Sequence, residues 1–301
     1  MTSRAGLGPQ IEHWSQLLSK EGWCIIPALI AAETIASLDS DLAVDFAETP
    51  FCQGAFYGPC TKRFGRLLVR SAIASKLVEH PLITGIARGI LEPWCDTIQL
   101  NLTQALALYP GAPPQLPHRD QDMWRGSTGE VEYLVNVMWP FTRYRSENGA
   151  TLIYPDSHGS KALDPRIPGA PFPVELEPGS ALLFLGSTLH GAGGNRSNEV
   201  RRGAIVSYCL GWLKPYENQW LAYPPAVAKH FTPELAALVG YQQHRPNLGN
   251  FEGQCPSVLL KERVPKRLPA KDALRPDQEQ QLAEFIKTQQ WPERGRRRAT
   301  I

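Results

Sequence analysis

The sequence predicts an α+β protein in which a mainly β core follows a layer of N-terminal helices packed on one face of the sheet. Apolar residues near the N-terminus recur at helical spacing, as in residues 11–20. From Ile98 onward the period changes to two, and short strand-like runs alternate with Gly/Pro turns. Many short strands at such spacing are typical of a closed or sandwich-like antiparallel sheet.

The individual elements follow from local patterns. Helices are predicted over residues 11–20, 31–46 and 73–91, the last broken by Pro81, and a short strand over 22–27. In residues 98–108 apolar and polar side chains alternate, which predicts a half-buried strand. Further strands are predicted over 132–141, 149–153, 180–185 and 203–213, with connectors at 109–114, 166–173, 177–179 and 190–196. Residues 226–238 and 278–289 are predicted to be helical, and 246–265 irregular.

The 301 residues are predicted to form a single domain, 1–301, because neither an internal repeat nor a low-complexity linker divides them. Its parts are a helical N-terminal layer over about residues 10–92, a β core over about 95–215, and a helical and irregular C-terminal extension over about 216–301.

The charge balance argues against a nucleic-acid partner. The formal net charge is +2, and a content of 43% hydrophobic and 20% charged residues is ordinary for a globular protein. Residues 261–301 do carry 11 Lys/Arg against 6 Asp/Glu, including four arginines between 294 and 298. Since no aromatic residues are interleaved with these arginines, we interpret the segment as a solvated tail.

The cysteines and the N-terminus bear on cellular location. The six cysteines form no C-x-x-C pair and show no zinc-like spacing, which indicates reduced, buried thiols. Residues 1–10 contain no apolar segment of the signal-peptide type, and no apolar run approaches bilayer length. We therefore expect a cytoplasmic protein without a membrane partner.

The segment from Gln115 to Asp120 carries the strongest chemical signal. His118 and Asp120 are two residues apart, so both side chains point to one face of an extended strand. His190 lies 70 residues after Asp120, far enough for a later strand to return to the same site. Two imidazoles and one carboxylate form the facial triad that holds non-haem Fe(II) and leaves coordination positions open. Zinc accepts the same ligand types, so this set alone leaves the metal undecided.

An arginine downstream of His190 suggests a 2-oxo acid as cosubstrate. Such an acid carries a second carboxylate, and the planar guanidinium of arginine matches a carboxylate. Arg201 follows His190 by 11 residues, at the start of the next strand-like run. In an antiparallel pair it would lie near His190, one strand over, whereas Arg202 would face the other way. We prefer Arg201, with two solvent-facing turn arginines as the alternative.

Several motifs together resemble one family. They are Gln115 with His118-x-Asp120, Glu147-Asn-Gly-Ala-Thr151, Pro155-Asp-Ser-His158, His190 followed by Arg201, and Gly211-Trp-Leu-Lys-Pro-Tyr-Glu-Asn-Gln219. Over about residues 15–225 the chain resembles the phytanoyl-CoA dioxygenase-like Fe(II)/2-oxoglutarate oxygenases, and within them the branch that tailors natural products.

This resemblance implies a double-stranded β-helix, or jelly-roll, fold. It implies Fe(II) bound by His118, Asp120 and His190, and 2-oxoglutarate as cosubstrate with O₂. The cosubstrate would be held by Arg201, with Gln115, Thr151 and Arg63 as further contacts. The reaction implied is oxidation of a C–H bond of a medium-sized metabolite, by hydroxylation, desaturation or rearrangement, in secondary-metabolite biosynthesis. Asp120 argues against halogenation, which requires a small residue in its place.

Three aromatic residues are candidates for the substrate pocket, but the sequence does not identify the substrate. Phe56, Tyr57 and Trp124 are candidates for the substrate pocket, although aromatic side chains near a barrel are more often core. His158 is interpreted as a structural turn residue. By analogy with relatives, a homodimer is one option for assembly. Two other functions stay open: a ligand-binding relative without turnover, with or without metal, and a nucleic-acid demethylase using the basic tail.

Overall fold

The structure is a computed structural model that describes residues 4–126, 129–164, 166 and 169–288. The arginine-rich end of the chain, which the sequence analysis interprets as a solvated tail, lies outside the described residues. So does Gln289, the last residue of the helix predicted over 278–289. Residue 165, just before the predicted connector 166–173, and residues 167 and 168 within it also lie outside. Among the helices of the described ranges, none combines the length and the hydrophobicity of a membrane-spanning segment.

Nine β-strands form two antiparallel sheets within the described ranges. They are β1 (Trp23–Ile26), β2 (Thr61–Phe64), β3 (Ile98–Leu108), β4 (Leu134–Pro140), β5 (Thr151–Ile153), β6 (Phe172–Val174), β7 (Ala181–Leu185), β8 (His190–Ala192) and β9 (Arg201–Leu210). The larger sheet has the order β1-β7-β4-β9-β3-β2, and the smaller has the order β6-β5-β8. This mostly antiparallel core with flanking helices is the predicted α+β jelly-roll architecture, and the prediction of fold class is confirmed.

Helices lie mainly before and after the sheets in the chain. They are α1 (Arg4–Glu21), α2 (Ala32–Asp41), α3 (Ala43–Glu48), α4 (Ala74–Val78), α5 (Pro81–Leu91), α6 (Gln219–Ala222), α7 (Pro225–Ala228), α8 (Pro233–Leu238) and α9 (Pro276–Thr288). Short 3-10 turns add to these, including Asp120–Met123. Helix α5 begins at Pro81, where the missing N–H costs nothing because the first helical N–H groups have no intrahelical partner.

Alternate residues of the large sheet face two separate cores. On β7, Leu183 and Leu185 join the core formed with the helices, while Leu182 and Phe184 join the core between the sheets. The other long strands divide their side chains in the same way. A strand covered on both faces is apolar throughout, which explains the continuous run Ala181–Leu185.

Some boundaries differ from the sequence prediction. The helix predicted over 31–46 is two helices, since Leu42 leaves helical geometry while its side chain stays buried. The helix predicted over 226–238 is likewise split into α7 and α8. The sequence does not predict strands β2, β6 and β8; β6 begins inside the predicted connector 166–173, and β8 lies in the predicted connector 190–196. With three residues around Gly191, β8 carries too little pattern to recognise, and pairing with β5 holds it in place.

Candidate metal centre

A cavity of about 420 Å³ lies between the two sheets. Side chains from β3, β4 and β9 line it from the large sheet, and Thr151 of β5 and His190 of β8 line it from the small sheet. The segment before Asp120 closes one side. Most residues predicted for the site meet in this cavity.

The backbone places His118 beside His190. The two residues form an antiparallel bridge in which each N–H donates to the other's carbonyl, at 2.9 and 3.0 Å. Directly opposed residues project their side chains to the same face. The chain is extended at Arg119 and turns into a 3-10 helix at Asp120, so the carboxylate joins the two imidazoles on that face.

The three side chains form one cluster. Each offers a ligand atom, and these atoms all lie within 4.8 Å of one another. The Nε2 atom of His118 is 3.5 Å from Oδ1 of Asp120, and the Nε2 atom of His190 is 3.6 Å from Oδ2.

Neighbouring groups orient the three side chains. The Nδ1 atoms of His118 and His190 donate to the carbonyls of Leu116 and Thr188, at 2.8 and 3.0 Å. With the proton on Nδ1, each Nε2 lone pair is free for a metal. The Nδ2 group of Asn136 on β4 donates to Oδ2 of Asp120 at 3.0 Å, which fixes the carboxylate.

The electrostatics favour the metal-binding protonation state at Asp120 and His190 but not at His118. Against the opposing effect of burial, Asp120 raises the pKa of His118, so a metal has to displace a proton there. Burial alone would raise the pKa of Asp120, but His190, His118 and Arg63 outweigh it and bring the pKa down to about 2. Burial lowers the pKa of His190, which favours the neutral imidazole. A carboxylate and imidazole nitrogens oriented in this way suit Fe(II), so the residues present fit the metal that the sequence suggested.

Arg201 lies inside the same cavity as a buried cation. Its side chain is 2% exposed, its guanidinium lies 4.3 Å from the Tyr144 ring centroid, and one Nη1 group donates to the Gly149 carbonyl. Its Nε has no partner. Among the described residues, no acidic side chain forms an ion pair with Arg201. A buried guanidinium without a carboxylate calls for an anion from outside the chain.

The route by which Arg201 reaches the site differs from the prediction. Strands β8 and β9 are not neighbours, because His190 lies in the small sheet and Arg201 in the large one. The two residues line the cavity from opposite sheets instead of from paired strands. Arg202 faces the other way, as predicted, and its Nη2 pairs with Asp39 at 2.5 Å.

The remaining predicted cosubstrate contacts also line the cavity. Gln115 accepts a hydrogen bond from the Ala192 N–H at 3.3 Å, and Thr151 is buried on β5. Arg63 comes from β2, donates from Nη1 to Oε1 of Gln104 at 3.2 Å, and has an Nε without a partner.

Two of the three predicted substrate residues line the cavity, and one does not. The Phe56 ring packs edge-on against His118 at 4.9 Å between centroids, with Tyr57 beside it. Trp124 is a correction: its Nε1 donates to the Lys214 carbonyl at 2.9 Å, and its ring packs against Tyr133. The chain turns at residues 120–123 and directs Trp124 towards the segment after β9.

Sequence reasoning missed Gln104 and Tyr216, which also line the cavity. Gln104 has an inward position in the alternating pattern of β3, and this could have identified it. Tyr216 belongs to the motif from Gly211 to Gln219, but no periodicity marks its direction. His158 lies outside the metal cluster, and its Nε2 is 3.2 Å from the Ser19 carbonyl, as expected for a turn residue.

Comparisons with known proteins agree with this geometry. A family model described as "Phytanoyl-CoA dioxygenase (PhyH)" matches residues 18–203. The fungal "Dioxygenase trt7" of Aspergillus terreus is 30% identical over 240 residues, covering 76% of this chain and 83% of that protein. "Dioxygenase swnH1" of Arthroderma benhamiae is 28% identical over 276 residues, covering 84% and 89%.

Solved structures share the fold. The non-heme alpha ketoglutarate dependent epimerase SnoN from nogalamycin biosynthesis aligns with a TM-score of 0.56 and 19% identity, over 68% of this chain and 84% of that one. HygX from Streptomyces hygroscopicus, with nickel, 2-oxoglutarate and hygromycin B bound, aligns with a TM-score of 0.54 and 13% identity, over 67% and 88%.

Proposed function

The chain belongs to the phytanoyl-CoA dioxygenase family, and from that premise we propose that His118, Asp120 and His190 bind its iron and that Arg201 anchors 2-oxoglutarate. The protein is a 2-oxoglutarate-dependent non-haem iron dioxygenase of secondary metabolism that acts on a small molecule. The observation that carries the residue assignment is one cavity in which the triad and an unpaired buried arginine face each other.

The metal supplies the oxidising chemistry when O₂ and the 2-oxo acid are present, and the residues of the chain hold the metal and the 2-oxo acid in position. The imidazoles of His118 and His190 are held with their Nε2 atoms inward by the backbone carbonyls that accept from Nδ1. Asn136 keeps the Asp120 carboxylate turned to the same point. All three ligands are therefore set before the metal arrives, which reduces the ordering cost of binding.

The cosubstrate assignment follows from charge. Arg201 is deeply buried and unpaired, so the carboxylate of a 2-oxo acid would replace the hydration that the guanidinium has lost. Tyr144 and Gly149 hold the guanidinium from one side, which leaves its other edge for the acid. We assign Gln115, Thr151 and Arg63 as further contacts because they line the same cavity.

The rest of the cavity lining suggests the class of substrate. Leu102, Leu106, Met138, Phe184 and Ile205 give the cavity a mainly apolar lining, and Phe56 covers His118 at the mouth. A cavity of this size and character suits a medium-sized organic metabolite. We propose that such a substrate presents a C–H bond for oxidation, with hydroxylation, desaturation and rearrangement all compatible with this wall.

Location and assembly are further expectations. We propose a cytoplasmic location, since all six cysteines are free thiols. The homodimer suggested by analogy stays a prediction.

The test combines spectroscopy with product analysis. Anaerobic protein loaded with Fe(II) and 2-oxoglutarate should develop the visible charge-transfer absorption of a chelated 2-oxo acid, and admission of air should yield succinate. His190→Gln should abolish both signals. His158→Gln is the matched control, because it changes the same residue type outside the cluster. Absence of both signals in the unchanged protein, or their persistence in His190→Gln, would contradict the assignment.

A further inference from the structure

Arg119 lies between two of the three proposed metal ligands, His118 and Asp120. The chain is extended at Arg119, with φ −113° and ψ 127°, and it turns into a 3-10 helix at Asp120. In an extended segment neighbouring side chains point to opposite faces, so the Arg119 side chain takes a different direction from the His118 imidazole. Its contacts, which the metal assignment does not use, connect the ligand-bearing segment to the rest of the site.

The guanidinium of Arg119 bridges two backbone carbonyls. Its Nε group donates to the carbonyl of Ser187 at 3.0 Å, and its Nη2 group donates to the carbonyl of Ser157 at 3.1 Å. The donors of a guanidinium lie in one fixed plane, so a single side chain can hold both carbonyls at once. Within the described ranges no acidic side chain forms an ion pair with Arg119, so its donors serve these two carbonyls.

Both carbonyls belong to segments that support His190. Ser187 precedes Thr188, whose carbonyl accepts the hydrogen bond from Nδ1 of His190 at 3.0 Å. The hydroxyl of Ser157 accepts from the N–H group of Leu189, the residue before His190, at 2.9 Å. These two segments therefore hold the second imidazole in place, and the guanidinium fastens the His-x-Asp segment to them.

Two backbone contacts flank the bend at Asp120. On one side the backbones of His118 and His190 exchange hydrogen bonds, and on the other the N–H group of Gln121 donates to the Gly186 carbonyl at 3.1 Å. Asp120 lies between these contacts, where the chain changes from extended to 3-10 geometry. The side chain of the preceding residue ties the chain down at this change of direction.

We propose that Arg119 is a positioning residue, which fixes the backbone of Asp120 relative to the two imidazoles so that the three ligand atoms stay within reach of one metal ion. The inference rests on the proposed function and deepens it. Arg119 differs from Asn136, which holds the carboxylate itself through Oδ2, because it acts on the backbone that carries the carboxylate. Without its two hydrogen bonds, ordering of the bend becomes a cost of metal binding.

The test compares Co(II) binding to the metal-free protein and its variants, because the visible absorption of bound Co(II) depends on the number and geometry of its ligands. Arg119→Met keeps an unbranched side chain and removes both donors. Its dissociation constant for Co(II) should rise about 10–100-fold, and its absorption spectrum should change. Arg119→Lys keeps the charge but not the planar fork, so its affinity should lie between those of the methionine variant and the unchanged protein.

Lys62→Met is the control for a merely structural role. It also removes a cation that donates to two backbone carbonyls, those of Phe46 and Ala47, but outside the metal cluster. It should destabilise the fold in urea and leave the affinity and the spectrum of Co(II) unchanged. Arg125→Met, at an exposed position of the same segment, controls for the loss of one positive charge.

A folded Arg119→Met variant with the Co(II) affinity and spectrum of the unchanged protein would overturn the inference, as would an equal loss of affinity in Lys62→Met. If Arg119→Met does not fold, Arg119→Lys decides, and unchanged values there overturn the inference as well. The metal assignment is read separately from His190→Gln. Binding that is lost in His190→Gln and kept in Arg119→Met refutes the positioning role alone. No binding to the unchanged protein, or equal binding to His190→Gln, refutes the metal assignment and the positioning role with it.

Discussion

The backbones of His118 and His190 exchange both of their hydrogen bonds, which holds the two imidazoles on one face with ring centroids 4.5 Å apart. The positions of the two proposed histidine ligands thus depend on backbone pairing between β8 and the segment before Asp120. Sites built on paired strands hold their side chains closely to one geometry. The pairing of His118 with His190 explains why a His-x-Asp pair and a histidine 70 residues later can form one cluster of side chains.

Asn136 should control metal affinity without contacting the metal. Replacing it with Leu removes the donor to Oδ2 of Asp120 and frees the carboxylate to rotate. We expect about 10–100-fold weaker binding of Fe(II), measured anaerobically, or of Mn(II) as a redox-stable substitute, measured by calorimetry. Met138→Leu, on the same face of β4, is the control and should bind metal as the unchanged protein does. Equal affinity in Asn136→Leu would show that the carboxylate is held by other contacts.

Arg201 should govern the concentration of 2-oxoglutarate that the enzyme needs. In Arg201→Lys the point charge remains but the planar fork and the stacking on Tyr144 are lost, so the KM for 2-oxoglutarate should rise about tenfold or more. Metal affinity should change little, because no ligand atom is removed. Arg202→Lys is the matched control on the outer face of β9. An unchanged KM in Arg201→Lys would move the anchoring role to Arg63.

The residues of the candidate site also show how much of it could be predicted from the sequence. The clustering of His118, Asp120 and His190 could be predicted because the residue types and spacing of a metal site are restricted by coordination chemistry. The inward direction of Arg201 could be chosen over that of Arg202 from strand alternation, but not the sheet to which it belongs. That depends on long-range pairing, which puts β9 between β3 and β4 and leaves β8 on β5.

The errors have a common physical cause. Trp124 was assigned to the pocket from its position in the chain, but a 3-10 turn of four residues redirects it, and such turns have weak sequence signals. Tyr216 was overlooked because its direction is set by contact with Tyr57, 159 residues away. Local patterns contain no information about either contact.

Glu132 should make stability depend on pH. Burial raises the pKa of its carboxyl from 4.5 to about 7, against an opposing hydrogen bond from Ser187. A carboxyl that titrates higher in the folded state favours folding most at low pH, and that contribution is lost as pH rises through 7. In the unchanged protein this effect should lower the free energy of unfolding by up to about 3 kcal/mol between pH 4.5 and 8, and in Glu132→Gln this decrease should be absent.

The measurement for Glu132 is urea unfolding across that pH range. The variant should gain stability relative to the unchanged protein as pH increases. Glu130→Gln, in the same segment but exposed, should follow the unchanged protein. Parallel pH profiles for the unchanged protein and Glu132→Gln would contradict the prediction.

Lys62 should stabilise the fold through the end of helix α3. Its Nζ donates to the carbonyls of Phe46 and Ala47 at 2.8 and 2.9 Å, which have no partner within the helix. Lys62→Met should lower the free energy of unfolding by about 1–3 kcal/mol, since buried carbonyls lose their donor. Lys20→Met, with a side chain 79% exposed, should leave the free energy of unfolding unchanged in the same urea titration. Equal effects would rule out a capping role for Lys62.

The meeting of Tyr57 and Tyr216 joins two segments that are separated by most of the chain. Residues 51–60 and 211–218 therefore meet at the cavity through the one hydrogen bond between these two hydroxyls. Grafting one of them from a relative would leave a hydroxyl facing a foreign neighbour, whereas exchanging both together keeps the two side chains matched to each other. Libraries that aim to redirect this enzyme should recombine the two segments as one block.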